Sequence, residues 1–162
     1  METNETSPLM TSWGEYETSV ERLIPMATRS LAIFDHDLQQ FHLERPLLHD
    51  AIQHFLRTFP GAHLSIAVQD ADPVQRLAPR TLNLLRLFAH SFQIIETPPH
   101  LANLSDSLLL VDDRHALVRF HRDHARSRQI LDDVVACQPY RKRFEEIWNE
   151  GGTPVSATTI GL

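Results

Sequence analysis

The sequence predicts a single α/β domain built on a mixed, mostly parallel sheet, with a C-terminal hairpin and helices on both faces. Two observations carry that reading. Short apolar runs that end in aspartate alternate with amphipathic helical stretches, the order expected of strand–helix–strand units crossing over a parallel sheet. No repeat, low-complexity block or linker interrupts residues 12–150. With 162 residues, 42 % of them hydrophobic and 22 % charged, the composition is that of an ordinary globular domain. A chain of this size buries about 70 % of its unfolded surface, so it needs no disulfide or metal to hold a core.

The elements follow in order. Residues 1–11 read as a disordered tail. Val20, Leu23, Ile24 and Ala27 recur at helical spacing, with Pro25 kinking or dividing the helix. The run from Leu31 to Phe34 is a strand buried on both faces, ending at Asp35. Pro46 to Phe59 is the clearest helix: Leu48, Ile52, Phe55 and Phe59 share one stripe, proline suits the first turn, and Pro60-Gly61 stops it. Leu64, Ile66 and Val68 alternate through a second strand that ends at Asp70. A helix from about Pro79 to Ser91 precedes a third strand, Phe92 to Glu96, closed by Pro98-Pro99. Leu108 to Val111 and Ala116 to His121 form strands four and five, joined through 112–115 as a hairpin. Pro139 opens a last helix whose Tyr140, Phe144, Ile147 and Trp148 make a stripe; Gly151-Gly152 ends it, and 151–162 reads as a flexible tail.

Fifteen Lys and Arg against 21 Asp and Glu leave a net charge of −6, which argues against a nucleic-acid partner. Lys142 is the sole lysine; the ten histidines, if all protonated, would carry the charge to +4. No apolar run reaches the roughly 20 residues of a membrane span. The N-terminus lacks a signal-peptide pattern, so a cytoplasmic, non-membrane protein is expected. The single cysteine, Cys137, reads as an inert buried thiol. Phosphate-cradling glycine loops and a G-x-S-x-G nucleophile turn are missing from the sequence, and no cofactor is expected.

The strand ends hold the candidate site, because ligands of α/β sheets collect at the carboxyl ends of parallel strands. Asp35 and Asp37 follow the first strand, Asp70 the second and Asp112 the fourth; converging, they would suit a hard cation such as Mg²⁺. Aspartates at strand ends serve equally as turn and cap residues. Arg119 and Arg122 are placed to hold a phosphate or carboxylate, or to pair with those aspartates. His121 belongs with His115 and His124 to a histidine-rich piece that reads as a polar loop, and no metal site is expected there.

Two family resemblances follow. Asp35-His36-Asp37 resembles the D-x-D opening of the haloacid-dehalogenase phosphatases, with Ser65 in strand two and paired aspartates after Leu108-Leu109-Leu110-Val111. That resemblance implies a Mg-dependent phosphatase or phosphotransferase with Asp35 as nucleophile and Asp37 as general acid. It lacks the family's phosphate-holding cation, since the sole lysine lies in the last helix.

The second covers residues 12–150. Ser105-Asp106-Ser107, Leu108 to Val111, Asp112, a return strand and Phe144-Glu145-Glu146-Ile147-Trp148 resemble the phospholipase-D-like fold, in particular an uncharacterised bacterial domain family with that fold. There an H-x-K strand meets an aspartate, a hairpin returns, and a helix ends in F-x-x-(hydrophobic)-W. With Asp112 on the motif aspartate, Ser105 stands at the histidine and Ser107 at the lysine; starting from His100 instead puts Ala102 and Ser107 at the lysine and aspartate. The resemblance therefore implies a pseudo-enzyme with a degenerate H-x-K motif. Such a domain acts by binding a phosphate-containing ligand or an unknown protein partner, and forms a possible homodimer because active relatives pair two motifs.

Overall fold

The computed structural model describes residues 8–157. Its helices are α1 (Trp13–Leu23), α2 (Pro46–Thr58), α3 (Asp72–Leu77), α4 (Pro79–Leu87) and α5 (Val134–Asn149). Seven strands, β1 (Ser30–Asp35), β2 (His63–Val68), β3 (Phe92–Glu96), β4 (Ser107–Val111), β5 (His115–Arg119), β6 (Ser127–Ile130) and β7 (Thr153–Pro154), form one sheet in the order β6-β5-β4-β1-β2-β3-β7. The central β1, β2 and β3 are parallel, whereas β4, β5, β6 and β7 join antiparallel to their neighbours. The mixed sheet with its hairpin is the one the sequence predicts, but it is not mostly parallel: parallel pairing is confined to β1–β2–β3, and the other four pairings are antiparallel.

Side-chain alternation along each strand divides the core into two layers. Leu31 and Ile33, Leu64 and Ile66, Leu109 and Leu117 face α1, α2 and α4, meeting Tyr16, Val20, Ile52, Phe55 and Leu82. On the other face, Phe34, Ala67, Leu108, Leu110, Ala116 and Val118 pack against Cys137, Phe144 and Ile147 of α5. Burial pushes the Cys137 thiol up to about 11, with Asp133 and Asp113 adding to the shift, so it stays a neutral thiol.

Several features differ from the sequence expectation. β6, with Arg128 and Gln129 at its centre, has no apolar alternation to announce it; cross-strand bonds to β5 create it. The short α3 lies between the second strand and the helix from about Pro79, in a stretch to which the sequence pattern assigns no element. α5 starts at Val134, not Pro139, because the Asp133 carboxylate accepts from Ala136 N at 2.9 Å and caps the helix one turn earlier. Of the expected N-terminal tail, 1–7 lie outside the described residues, and Met10 exchanges both backbone hydrogen bonds with Ser127.

The expected C-terminal tail also gains structure at its start: Thr153–Pro154 pairs with β3 and Val155 is buried, while residues 158–162 lie outside the described part. Gly151, at φ +82°, turns the chain out of α5. Gly152 then passes so close to β3 that a Cβ there would meet the Glu96 carbonyl oxygen at 2.5 Å. We expect Gly152→Ala to lower the urea midpoint, costing about 1–3 kcal/mol as an overpacked contact with backbone that cannot yield. Wild-type stability in that variant would show that the crossing is not tight.

Candidate functional site

Register brings four polar residues into one row. Ser107 lies opposite Arg119, and Arg119 opposite Ser127, while the Phe34–Leu108 pair puts Asp35 beside Ser107. By strand alternation all four face α1, and each is no more than 1 % exposed. Within this row the Arg119 guanidinium reaches across Ser107 to Asp35, Nη2 to Oδ1 at 2.7 Å. Its other terminal nitrogen donates to the Arg122 carbonyl at 2.6 Å and, at the limit of hydrogen bonding, to that of His121 at 3.5 Å. Trp13 and Tyr16 of α1 cover it, with ring centroids 5.3 and 5.0 Å from the guanidinium carbon. Arg119 Nε, Ser107 Oγ and Ser127 Oγ have no hydrogen-bond partner among the described residues. Burial raises the Tyr16 phenol to about 12 against the opposing pull of Arg119, so it is a neutral cover.

The Asp35 carboxylate is used completely. Its second oxygen accepts from Asp37 N at 3.2 Å and Leu38 N at 2.8 Å, and this holds a turn in which Leu38 takes φ 69°. The turn aims His36 at the loop after β5: Arg122 donates to His36 Nδ1 at 2.8 Å, which makes Nδ1 an acceptor and puts the ring proton on Nε2. Gln69 Oε1 accepts from the same Arg122 nitrogen at 3.5 Å, while its amide nitrogen is committed to the carbonyls of Leu101 and Leu104 at 2.9 and 2.7 Å. Between these groups lies a cleft of about 180 Å³, lined among others by His36, Asp37, Gln40, Arg119, Arg122 and Asp123.

The structure thus gathers Asp35, Asp37, Arg119 and Arg122 of the predicted residues. His121 contributes only its carbonyl to Arg119; its Nδ1 accepts from Asp123 N. Asp70 is exposed and accepts from Asp72 N at the start of α3. Asp112 is at the far end of the sheet: β4 runs antiparallel to β1, so Val111 pairs with Leu31 at the start of β1 while Asp35 sits at its end. There Asp112 accepts from the backbone of Thr28, Arg29 and Ser30 at 2.7–3.1 Å. Its own φ of 54° and Asp113's of 57° close the hairpin. The haloacid-dehalogenase reading fails on this geometry, because β1 separates Asp35 and Asp37 from Asp112 and Asp113 by about 17 Å of strand. Nor does any group of three metal-ligating side chains occur among the described residues. His36 belongs to the Asp35-His36-Asp37 motif but not to the candidate ligand residues, and nothing in the sequence singles out Gln69.

The mixed sheet with helices on both faces is an α/β domain of phospholipase-D-like fold, as its structural neighbours show. Residues 14–156 match the family described as a domain of unknown function, DUF7931, and the chain belongs to that family. Its solved structural neighbours include Nuc from Salmonella typhimurium, a phospholipase D family member, with TM-score 0.59, 12 % identity, and 92 % of this chain and 98 % of that one covered. NucT from Helicobacter pylori gives TM-score 0.59 at 10 % identity, covering 91 % and 98 %. TrmBL2, described as an archaeal chromatin protein with a novel mode of DNA binding, gives TM-score 0.67 at 12 % identity over 96 % of this chain, which spans 56 % of the archaeal one. Identities this low establish the fold alone. No curated protein matches the chain in sequence. No helix among the described residues is long and apolar enough to cross a membrane.

Asp112 offers a pH test. Burial raises its pKa, but the backbone donors at Ser30, Arg29 and Thr28, with the Thr28 hydroxyl, outweigh that and hold it below the ordinary value. A depressed folded-state pKa stabilises fully above the unfolded value of about 3.9, and the contribution disappears as pH falls through the folded value. We expect Asp112→Ala to lose about 1–3 kcal/mol at neutral pH by stranding those donors. In urea titrations the gap between wild type and variant should narrow below about pH 4; a gap independent of pH would contradict this role.

Proposed function

We propose that this protein is a non-catalytic, cytoplasmic phospholipase-D-like domain that acts by binding, with a phosphate- or carboxylate-bearing ligand seated at the strand-end cleft. One observation carries the reading. The resemblance assigns the nucleophilic histidine to Ser105 and the charge-stabilising lysine to Ser107, and Ser107 is 1 % exposed beneath Tyr16. Phosphoryl transfer through a covalent intermediate needs a nucleophile at the phosphorus and a cation at the oxygens. A sealed serine supplies neither. The cation nearest that position, Arg119, is neutralised by Asp35 and buried.

Binding needs less. Arg122 spends one terminal nitrogen on His36 and Gln69, leaving Nε and Nη2 without a partner among the described residues and able to grip two oxygens of an anion. His36, with its proton on Nε2, can add a third donor. Asp37 and Asp123 on the rim oppose a high negative charge, which favours a monoanionic group over a dianion. A homodimer is part of the proposal, motivated by the paired motifs of active relatives.

Purified protein with bis(p-nitrophenyl) phosphate tests the absence of chemistry. We expect no hydrolysis above buffer. Turnover that disappears in His36→Ala or His100→Ala would overturn the non-catalytic reading.

A further inference from the structure

The β5–β6 hairpin concentrates unpaired cations in an otherwise acidic protein. Arg122, Arg126 and Arg128 have no carboxylate within salt-bridge distance among the described residues. Arg45, Arg76, Arg114, Arg141 and Arg143 each pair with Asp or Glu, whereas Arg22, Arg29, Arg57, Arg80 and Arg86, equally without such a pair among the described residues, are spread along the chain. Against those three stands only Asp123, so residues 120–128 carry +2 within a chain of −6. Flat rings are interleaved with the charges. Phe120 is 39 % exposed and lies under the Arg128 guanidinium at 5.9 Å, and the rings of His121 and His124 lie 5.1 Å apart.

The hairpin is also held in shape before any partner arrives. Phe120 N donates to Arg126 O, Arg122 N to Ser105 O at 2.6 Å and His124 N to His121 O, and Ala125 is buried. From below, Arg119 Nη1 grips the carbonyls of Arg122 and His121. A loop fixed in this way presents its cations and rings with little ordering cost on binding.

We propose that this hairpin is a docking surface for single-stranded nucleic acid. Arginines track the phosphates, and exposed rings next to guanidinium groups offer unstacked bases a platform that tolerates any sequence. A duplex hides its base faces and would use the charge alone. The inference rests on the reading of the domain as a binding module and shares Arg122 with the cleft, but it does not depend on the lack of turnover. It departs from the expectation drawn from net charge, because the charge of the whole chain does not describe this one surface.

The test is fluorescence anisotropy of labelled oligothymidine with the full chain. Binding should weaken from about 50 to 200 mM salt with a logarithmic slope of about −2, the value for three phosphate contacts on a single strand. Arg126→Glu should weaken it by about tenfold, and Phe120→Ala by a similar factor. Arg57→Glu on exposed α2 makes the same charge change elsewhere and should leave binding nearly intact; far-UV circular dichroism verifies that each variant folds. No oligothymidine binding would overturn the proposal. So would equal losses in Arg57→Glu and Arg126→Glu, a duplex bound as tightly as the single strand, or binding only to anionic phosphatidylglycerol vesicles. Each of these outcomes is separate from phosphodiester turnover, which bears on the non-catalytic reading alone.

Discussion

The architecture of the strand-end region depends on one buried ion pair. Two charges taken out of water cost several kcal/mol each, and only good geometry with further hydrogen bonds offsets that. Arg119 and Asp35 come close to this condition. Asp35 accepts from the guanidinium and from two turn amides, while Arg119 donates to two loop carbonyls and lies beneath two aromatic rings. Among the described residues, the guanidinium Nε alone is left without a partner. The pair joins the end of β5 to the end of β1, strands that are not neighbours in the sheet. It crosses β4 over Ser107, where a longer side chain would occupy the same space.

On the proposed non-catalytic reading, that crossing links the missing chemistry to the shape of the site. A serine at the position the resemblance gives to lysine leaves room for an arginine from the neighbouring strand. Asp35 then becomes a structural acceptor, not a free carboxylate. The same contact fixes His36 and Asp37 on one side and the β5–β6 hairpin on the other, so the cleft and the cationic surface share one foundation.

Much of this fold was legible in the sequence. The apolar runs of β1 to β5 and the stripes of α2 and α5 are long enough for periodicity to identify them. β6 was not legible, because Ser127-Arg128-Gln129-Ile130 is a strand only by virtue of its neighbour and the bridge to Met10. For the site, local sequence gave the right neighbourhood for Asp35, Asp37, Arg119 and Arg122. Asp112 was misplaced because strand direction cannot be read from a run of leucines: an aspartate after an antiparallel strand emerges at the opposite end of the sheet. The burial of Arg119 was equally hidden, since nothing near it in sequence announces that α1 will cover it with Trp13 and Tyr16.

A double-mutant cycle on Asp35→Asn and Arg119→Met, read by urea unfolding, tests the ion pair most directly. Each single change should cost about 3–5 kcal/mol by leaving its partner buried and uncompensated. The double variant should cost far less than the sum of the two. Costs that add to within about 0.5 kcal/mol would mean the two groups act independently, and that the region is held by something other than this pair.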